Sequence, residues 1–417
     1  MQRHSEALLH FKDLRSRLKK QELPGSVFPE LCPSLAATAK LAERLGYMTA
    51  VQGNSVEFIT DDEIFVDCVV EGINQAQHEV CLLYYIFKND SHGSRIVEAC
   101  RNAAKRGVVV RMLLDSVGSR DFLKSREAKA AKKEHVIIAE ALPVRIYRAK
   151  VERFDLRNHR KLAIFDKLTA VTGSHNVTNP TYGRKDGLTW KDLSLKLQGP
   201  VVRELESVFI EDWYVETGEM LDTPHLFKEP VRFPGTAVLQ TVPSGPSYQT
   251  ENYQRLIIAS IISAQKQVTI TTPYLIPDDG MLQAIEVARL RNVKVRLIVP
   301  AKSDQIITGY ASRAYYSTFL RMGVEIYLYK DGLLHAKTIT VDDDLGFVGS
   351  SNFDIRSFAL NFEINMIFYG NKENSGVHWV QEQYAADSHR LTLGEWNMRG
   401  KISVALESLT KLLSPLL

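Results

Sequence analysis

The pattern of hydrophobic and polar positions in this chain occurs twice. The segments INQAQHEVCLLYYIF (73–87) and IISAQKQVTITTPYLI (261–276) each predict the end of a helix followed by a buried strand rich in β-branched and aromatic residues. Each is followed by a predicted amphipathic helix and a second apolar strand, at 93–115 and 280–300. The order of predicted elements is therefore the same in both parts of the chain.

Two further pairs of segments extend the repeat. LPVRIYRAK (142–150) parallels MGVEIYLYK (322–330), and each predicts a third strand. The strand-like segments HRKLAIF and HAKTITV follow, beginning at residues 159 and 335. We predict an α/β fold of two similar domains that arose by internal duplication.

The domain boundaries follow from length and proline content. A chain of 417 residues, 45% of them hydrophobic, is too long for one ordinary core and predicts two domains. Five of the 15 prolines fall between Pro224 and Pro246, which indicates an extended linker. We predict an N-terminal helical segment, a first domain, a Pro-rich linker and a second domain at 1–50, 51–222, 223–250 and 251–417.

The N-terminal segment has two interpretations. Leu8, Phe11, Leu14 and Leu18 fall near helical spacing among basic residues. They predict either a surface helix packed on the first domain or a basic interfacial helix in contact with anionic lipid. The first 20 residues lack the apolar region of a secretory signal, and no run of 18 apolar residues occurs. We therefore expect any work on membranes to take place from the membrane surface.

Charge and cysteine content exclude some classes of function. The chain has 52 basic and 49 acidic residues, a balance that permits contact with an anionic membrane but does not by itself favour nucleic acid. It also lacks a basic tract with interleaved aromatic residues, which disfavours a nuclease. The cysteines form no CxxC pair, so we expect free buried thiols rather than disulfides or a zinc site, at Cys32, Cys68, Cys81 and Cys100.

A polar motif also occurs twice, in RNHRKLAIFDKLTAVTGSHN (157–176) and LLHAKTITVDDDLGFVGSSN (333–352). The two copies align without gaps at a constant offset. Chance does not readily explain six matched polar or small positions. The matched pairs are His159 and His335, Lys161 and Lys337, Asp166 and Asp342, Gly173 and Gly349, Ser174 and Ser350, and Asn176 and Asn352.

The motif residues suit chemistry at a phosphodiester. Side chains two apart on a strand share a face, so each histidine lies beside its lysine. If the halves pack about a pseudo-two-fold axis, both motifs face one donor-rich pocket with few nearby carboxylates. The lysines and asparagines can stabilise charge on the non-bridging oxygens. One imidazole can attack phosphorus, and the other can protonate the leaving alkoxide.

Four carboxylates belong to the candidate site. Asp166 and Asp342 lie where each motif strand gives way to a turn, which favours a structural role although we count them among the site residues. Glu363 and Asp192 lie downstream of the two motifs. Either acid can accept the second N–H of an imidazole and fix its tautomer, and the alternative for both is a surface ion pair.

These motifs resemble a known family. The doubled H-x-K-x4-D with G-S-x-N is similar to the phospholipase D superfamily. More narrowly, YYIFKND, GSSNFDIRSFALNFEIN and the terminal LTKLLSPLL resemble bacterial cardiolipin synthases of the phospholipase D type. The resemblance runs from about residue 50 to residue 417, and the chain resembles a short form without N-terminal membrane-spanning helices.

The resemblance implies a fold, a reaction and a location. It implies two phospholipase D-type α-β-α domains that share one active site. A phosphatidyl group would pass from phosphatidylglycerol to His159 with loss of glycerol, and then to a second phosphatidylglycerol, with His335 as the acid and base. It implies no cofactor or metal, no nucleic acid and no obligate protein partner. The enzyme would act peripherally at the cytoplasmic face of a bacterial cell membrane, on an anionic surface.

Other functions stay open at this point. A hydrolase of the same superfamily would pass the phosphatidyl group to water and yield phosphatidic acid. A related transferase would use another donor or acceptor, such as phosphatidylethanolamine. A nuclease would bind DNA in a salt-sensitive way, and a non-enzymatic membrane scaffold would tolerate loss of both motif histidines.

Overall fold

The computed structural model describes residues 29–143, 155–184, 186–221, 232–248 and 251–412. Within these ranges, no helix combines the length and the apolar character needed to cross a bilayer. The amphipathic pattern predicted near the N-terminus lies outside the described residues.

The first half of the molecule covers residues 51–217, and one helix at 33–46 precedes it. Its elements are α1 (Pro33–Gly46), β1 (Val51–Ile59), α2 (Asp62–Gln75), β2 (Glu79–Tyr84), α3 (Ser91–Lys105), β3 (Val109–Asp115), α4 (Arg120–Lys124), α5 (Arg126–Lys133), β4 (Ile137–Ala141), β5 (Arg157–Asn158), β6 (Lys161–Phe165), β7 (Thr169–Gly173), β8 (Trp190–Lys191), β9 (Ser194–Gln198) and α6 (Val201–Thr217).

The second half covers residues 237–411. Its elements are β10 (Ala237–Ser244), α7 (Asn252–Ser263), β11 (Gln267–Thr271), β12 (Leu275–Ile276), α8 (Asp279–Leu290), β13 (Lys294–Pro300), α9 (Ile306–Ala314), α10 (Tyr316–Arg321), β14 (Glu325–Tyr329), β15 (Leu333–Leu334), β16 (Thr338–Val341), β17 (Leu345–Gly349), β18 (Phe353–Asp354), α11 (Ile355–Ala359), β19 (Asn361–Tyr369), α12 (Asn371–Ala386), β20 (Ser388–Leu391), α13 (Leu393–Asn397) and α14 (Lys401–Lys411).

One sheet joins the two halves. Among the described residues it has 16 strands, ordered β20-β14-β13-β11-β16-β17-β19-β10-β1-β9-β7-β6-β2-β3-β4, with β5 paired to β19. β1 and β10 are antiparallel at its centre, and the strands on either side correspond in order. This arrangement confirms the predicted α/β class and the duplicated domain.

Local sequence explains where three of the helices begin. Asp61 accepts hydrogen bonds from the backbone amides of Glu63 and Ile64 at 2.9 and 3.0 Å. Asp90 and Asp278 cap α3 and α8 in the same way. An N-cap carboxylate satisfies amides that have no partner within the helix, so these positions fix the helix starts.

The strand of the first half that corresponds to β14 is β4, which lies before the segment that we paired with it from the sequence. β4, at Ile137–Ala141, pairs in parallel with β3, as β14 pairs with β13 in the second half. The strand thus precedes the predicted segment 142–150, most of which lies outside the described residues. β4 is a half-exposed edge strand, so its apolar signal is weaker than that of the residues after it.

Part of the predicted Pro-rich linker is a central strand. Ala237–Ser244 forms β10, which pairs with both β1 and β19. In β10, only Ala237 and Leu239 pair with β1. Pro243 lies beyond these residues, so the backbone N–H that proline lacks is not needed for a hydrogen bond to β1. The domain boundaries themselves stay predictions.

The described part of the N-terminal segment packs on the second half. Leu35, Ala39 and Ala42 of α1 are buried in the same hydrophobic cluster as residues of α7 and α8. A separate cluster draws on both halves, including Phe209 and Trp213 of α6. The two halves therefore share core as well as sheet.

Short strand pairs tie each motif to the opposite half. β8, at Trp190–Lys191, pairs in parallel with β15, directly before His335. β5, directly before His159, pairs in parallel with the start of β19. The amide of His159 then donates to the carbonyl of Phe362 at 2.9 Å, and that of His335 to the carbonyl of Lys191 at 2.8 Å. Each motif histidine is thus held by backbone from the other half.

Candidate active site

Both motif histidines line one cavity of about 430 Å³ between the halves. Each of these two histidines is buried and still contributes to the cavity lining. The other lining residues come from both halves and are Asp62, Tyr85, Ile86, Arg157, Asn176, Thr178, Asn179, Pro180, Tyr182, Trp190, Asp192, Tyr274, Asp304, Gln305, Thr308, Asn352, Asp354, Arg356 and Asn361.

The imidazole of His159 is held by a carboxylate from the second half. Its Nδ1 lies 3.0 Å from both Oε1 and Oε2 of Glu363, a fully buried residue of β19. The hydroxyl of Ser350 donates to Oε2 of the same carboxylate at 2.5 Å. The acid and the serine therefore act together on the histidine of the other motif.

The reciprocal arrangement holds His335. Its Nδ1 lies 2.6 Å from Oδ1 of Asp192, which belongs to the first half. The hydroxyl of Ser174 donates to that oxygen at 2.5 Å. Both acids thus lie where an imidazole can donate its second N–H, as predicted, but each serves the histidine of the opposite half. The predicted alternative of a surface ion pair is wrong for both.

The electrostatics of these pairs favour a neutral imidazole and an ionised acid at neutral pH. Burial lowers the pKa of His159 to about 4, and it also lowers the pKa of His335. Burial alone would raise the pKa of Glu363, but the charge and hydrogen bond of His159 outweigh it and the pKa falls. The pKa of Asp192 is lowered likewise by His335. Each Nδ1–H then faces a carboxylate, which leaves Nε2 with a free lone pair.

The motif lysines lie beside their histidines and are buried. Nζ of Lys161 donates to the carbonyl oxygen of His159 at 2.6 Å, and Nζ of Lys337 to that of His335 at 2.5 Å. Burial lowers the pKa of Lys161 to about 8 and that of Lys337 to about 7. The charge of either ammonium also contributes to the low pKa of His159.

The two asparagines line the cavity, as the motif predicts. Oδ1 of Asn176 accepts from the amide of Ile86 at 3.2 Å. Oδ1 of Asn352 is buried and has no hydrogen-bond partner among the described residues. A buried oxygen without a partner is costly, so a ligand donor in the cavity would stabilise it.

The serines do not present their hydroxyls to the cavity. Ser174 and Ser350 are fully buried, and each accepts a hydrogen bond from a backbone amide, that of Leu193 or Ile364, at 3.0 Å. Because each also donates to Asp192 or Glu363, they position the two acids. Their inclusion among the catalytic residues stays a prediction.

The motif aspartates lie away from the cavity. The carboxylate of Asp166 accepts from three successive amides at the start of β2, at 2.7 to 2.9 Å. Asp342 does the same at the start of β11, at 2.6 to 3.0 Å. Both have positive φ, 48° and 52°, as expected of a tight turn. These contacts support the structural alternative, and the inclusion of both aspartates among the catalytic residues stays a prediction.

The sequence did not predict several cavity residues. Tyr85 meets the ring of His159 edge-on with centroids 4.9 Å apart, and Trp190 meets His335 at 5.1 Å. In the sequence, Tyr85 lies in a segment that predicts a buried strand, and Trp190 lies two residues before Asp192. Neither position distinguishes an aromatic residue of an active site from one of a hydrophobic core.

The cavity is also richer in carboxylates than we expected. Besides Asp192, it is lined by Asp62, Asp304 and Asp354. Burial raises the pKa of Asp62 to about 7 and that of Asp354 to about 6. Even so, no cluster of three or more histidine, cysteine, aspartate or glutamate side chains within the described residues could hold a metal ion.

The four cysteines all lie in described residues and are free. Cys81 and Cys100 are buried, as predicted, whereas Cys32 is exposed and Cys68 is half-buried. They lie outside the cavity lining.

Comparison with known proteins places this geometry in a family. The family model described as "Cardiolipin synthase, PLD-like domain" matches residues 69–213 and 257–385, one segment in each half. Cardiolipin synthase A of Proteus mirabilis (strain HI4320) is 36% identical over 380 residues, which is 90% of this chain and 78% of that protein. Cardiolipin synthase A of Pectobacterium atrosepticum is 36% identical over 92% of this chain and 79% of its own length.

A solved structure agrees with the fold. The crystal structure of phosphatidylserine synthase from Haemophilus influenzae Rd KW20 matches with a TM-score of 0.70 over 91% of this chain and all of that chain. Its sequence identity is 16%, so this likeness concerns the fold alone.

Proposed function

Since the chain belongs to the phospholipase D-like cardiolipin synthase family, we propose that it is a phosphatidyltransferase that makes cardiolipin from two molecules of phosphatidylglycerol. Within the structure, the observation that supports this most is the pair of crossed histidine–carboxylate contacts on one cavity. Two equivalent imidazoles suit a two-step transfer, because one can hold the phosphatidyl group while the other moves protons.

In the first step, Nε2 of His159 attacks the phosphorus of phosphatidylglycerol. The N–P bond forms as the P–O bond to the headgroup glycerol breaks, and protonated His335 gives its proton to the oxygen of that leaving glycerol. Glu363 stabilises the positive charge that develops on the attacked imidazole, since it accepts the hydrogen bond from Nδ1. Bound phosphodiester adds negative charge to the cavity and so favours the protonated form of His335.

In the second step, the primary hydroxyl of another phosphatidylglycerol attacks the phosphohistidine. His335, now neutral, accepts the proton of that hydroxyl, and the N–P bond breaks to release His159 and cardiolipin. Asp192 stabilises the imidazolium that forms. Protons and charge are restored at the end of the cycle.

Buried positive charge stabilises the transition state of both steps. Lys161 and Lys337 lie directly behind the histidines, where low dielectric strengthens their attraction for the phosphoryl oxygens. The amide groups of Asn176 and Asn352 at the cavity wall orient the same oxygens. The two halves are nearly symmetric, so the choice of His159 as nucleophile rests on the resemblance of the first motif to the superfamily.

The proposed substrates imply a location. Phosphatidylglycerol stays in a bilayer, so the enzyme works at a membrane surface, and we place it peripherally on the cytoplasmic face of the bacterial cell membrane. The proposal includes no cofactor, no nucleic acid and no obligate protein partner.

Lipid mass spectrometry tests the proposal. Protein is incubated with phosphatidylglycerol vesicles in the presence of EDTA, and wild type is compared with His159→Ala and His335→Ala. His78→Ala is the matched control, because His78 is exposed and lies outside the cavity. Cardiolipin from wild type and the control alone supports the proposal. Phosphatidic acid as the sole product would show a hydrolase instead.

Mass spectrometry of the protein tests the assignment of the nucleophile. A quenched reaction at alkaline pH should carry the phosphatidyl adduct on the peptide that contains His159, and His159→Ala should carry none. An adduct on His335 would exchange the two roles.

A further inference from the structure

The last described helix, α14, presents its apolar residues to solvent. Ile402, Leu406, Leu409 and Leu412 recur at helical spacing, which aligns them on one face. Ile402 is 79% exposed and Leu409 is 61% exposed. We call these four residues the α14 stripe. An amphipathic helix on a globular protein usually turns such a stripe toward the core, so this orientation calls for a partner.

The opposite face of α14 anchors it to the protein through charge. Glu407 is only 2% exposed and accepts from Nε of Arg399 at 2.9 Å. Nε of Arg313, on α9, lies 3.3 Å from its other oxygen. Lys411 also lies over the ring of Tyr315, 4.8 Å from its centroid. These contacts fix the face of the helix that points inward, so the α14 stripe is held outward.

The helix on which α14 packs begins at the cavity. α9 contacts α14, and its first residue, Ile306, is 76% exposed, with Ile307 exposed beside it. Gln305 and Thr308, on either side of these two, line the cavity that contains the histidines. The exposed apolar residues of α9 and α14 therefore lie on a helix pair that reaches the cavity wall.

The size of the cavity limits how much of a phospholipid it can enclose. A volume of about 430 Å³ lies toward the lower end of pockets that enclose a drug-sized ligand, and much of its lining is polar or charged. It can take a phospholipid headgroup but not two acyl chains. The chains must stay in the bilayer during transfer, so the wall of the cavity must meet the bilayer surface.

Charge around the stripe agrees with an anionic surface. Lys401 and Lys411, at the two ends of α14, are exposed, and so is Lys302, just before α9. Basic residues beside an apolar helix face are typical of helices that lie in the interface of anionic membranes.

We propose that the α14 stripe, with Ile306 and Ile307 of α9, is the membrane-docking surface, inserted among the headgroups of an anionic bilayer so that the cavity opens onto lipid. The inference rests on the proposed function for its choice of a lipid surface over a protein partner. It places docking in the second half, at the helix pair beside the site.

Vesicle flotation tests the proposal without turnover. The full chain is mixed with vesicles of phosphatidylglycerol or of phosphatidylcholine, and wild type is compared with the double variant I402S/L409S. We expect binding to phosphatidylglycerol vesicles to weaken at least about tenfold in the double variant, because two apolar side chains no longer enter the interface.

Leu290→Ser is the matched control. Leu290 is equally exposed, but it precedes the amino end of β13, away from the cavity, and it should bind as wild type does. Equal binding by wild type and the double variant would overturn the proposal, as would an equal loss in Leu290→Ser. Failure of the proposed function has a different signature, namely intact binding with no cardiolipin formed.

An environment-sensitive fluorophore at Leu409→Cys, with Cys32 and Cys68 replaced by serine, identifies the occupant. A polar environment in solution and a blue shift with phosphatidylglycerol vesicles support the proposal. An apolar environment before any lipid is added would overturn it, because a second copy or another segment of this chain would then cover the stripe.

Discussion

Nδ1 of His159 and the carboxylate of Glu363 lie 3.0 Å apart although 204 residues separate them in the chain. The equivalent contact between His335 and Asp192 spans 143 residues. The motif that supplies a histidine therefore does not supply the acid that orients it. Each half of the protein supplies the carboxylate that holds the histidine of the other.

Glu363→Gln should lower kcat by up to about 10⁴-fold, the loss that follows when the acid of a Ser-His-Asp triad is replaced by its amide. The amide keeps the size of the side chain but can present N–H to Nδ1, which favours the wrong tautomer. Steady-state kinetics on phosphatidylglycerol vesicles measures the change, and KM should move little. Glu98→Gln, at an exposed position of α3, is the control. An unchanged kcat would refute the role of Glu363.

Ser350→Ala should slow the reaction by about tenfold and also destabilise the fold by about 1–3 kcal/mol, because Glu363 loses a donor and the amide of Ile364 loses its acceptor. Urea unfolding measures the second effect. Ser174→Ala should behave similarly through Asp192. If Ser350→Ala instead raised KM alone, the hydroxyl would be a substrate contact after all.

Activity should fall as pH rises above about 7. The charged form of lysine is the protonated one, and burial lowers the pKa of Lys337 to about 7 and that of Lys161 to about 8, so both charges are present at pH 6 and are lost through this range. The pKa of His159, about 4, predicts that the nucleophile stays neutral from pH 7 down to about 5. A kcat/KM profile between pH 5 and 10 shows the alkaline loss. A flat profile to pH 10 would contradict it.

Asp342→Ala should reduce stability rather than catalysis. Three backbone amides lose their acceptor, for which we expect a cost of about 2–4 kcal/mol in the free energy of unfolding. Its neighbour provides the control, since Asp343 is exposed and its pair with exposed Lys266 contributes little to stability. Activity per folded molecule should stay near wild type in both. A selective loss of kcat in Asp342→Ala would return this residue to the active site.

The repeat explains how much of the site could be predicted. Two gapless copies of one motif identify the histidines, lysines and asparagines, because residues repeated at a fixed offset must occupy equivalent places in two similar domains. Alternation along a strand then places each lysine beside its histidine. The same reasoning could not pair Glu363 with His159, since a repeat shows which residues are equivalent and not which domain they face.

Other features depend on packing that leaves no local signal. Asp304 enters the cavity from the loop before α9, a position that a polar residue on any surface loop could occupy. β10 lies within a segment whose prolines predict a linker, and only its pairing with β1 and β19 makes it a strand. The two motifs also differ at one position, where His175 of the first corresponds to Ser351 of the second. The repeat cannot explain a residue that only one motif contains. His175 stacks on Phe65 with ring centroids 4.5 Å apart, a contact that belongs to the first half.

The antiparallel pairing of β1 with β10 at the middle of the sheet bears on how such a chain could originate. An antiparallel pair has a local two-fold axis, so two identical half-length chains joined there would form a symmetric dimer with self-complementary contacts. In that dimer each copy would also lend its carboxylate to the histidine of its neighbour, and the cavity would be complete before any gene fusion. A fusion would free the two copies to change independently, which agrees with the different residues at 175 and 351.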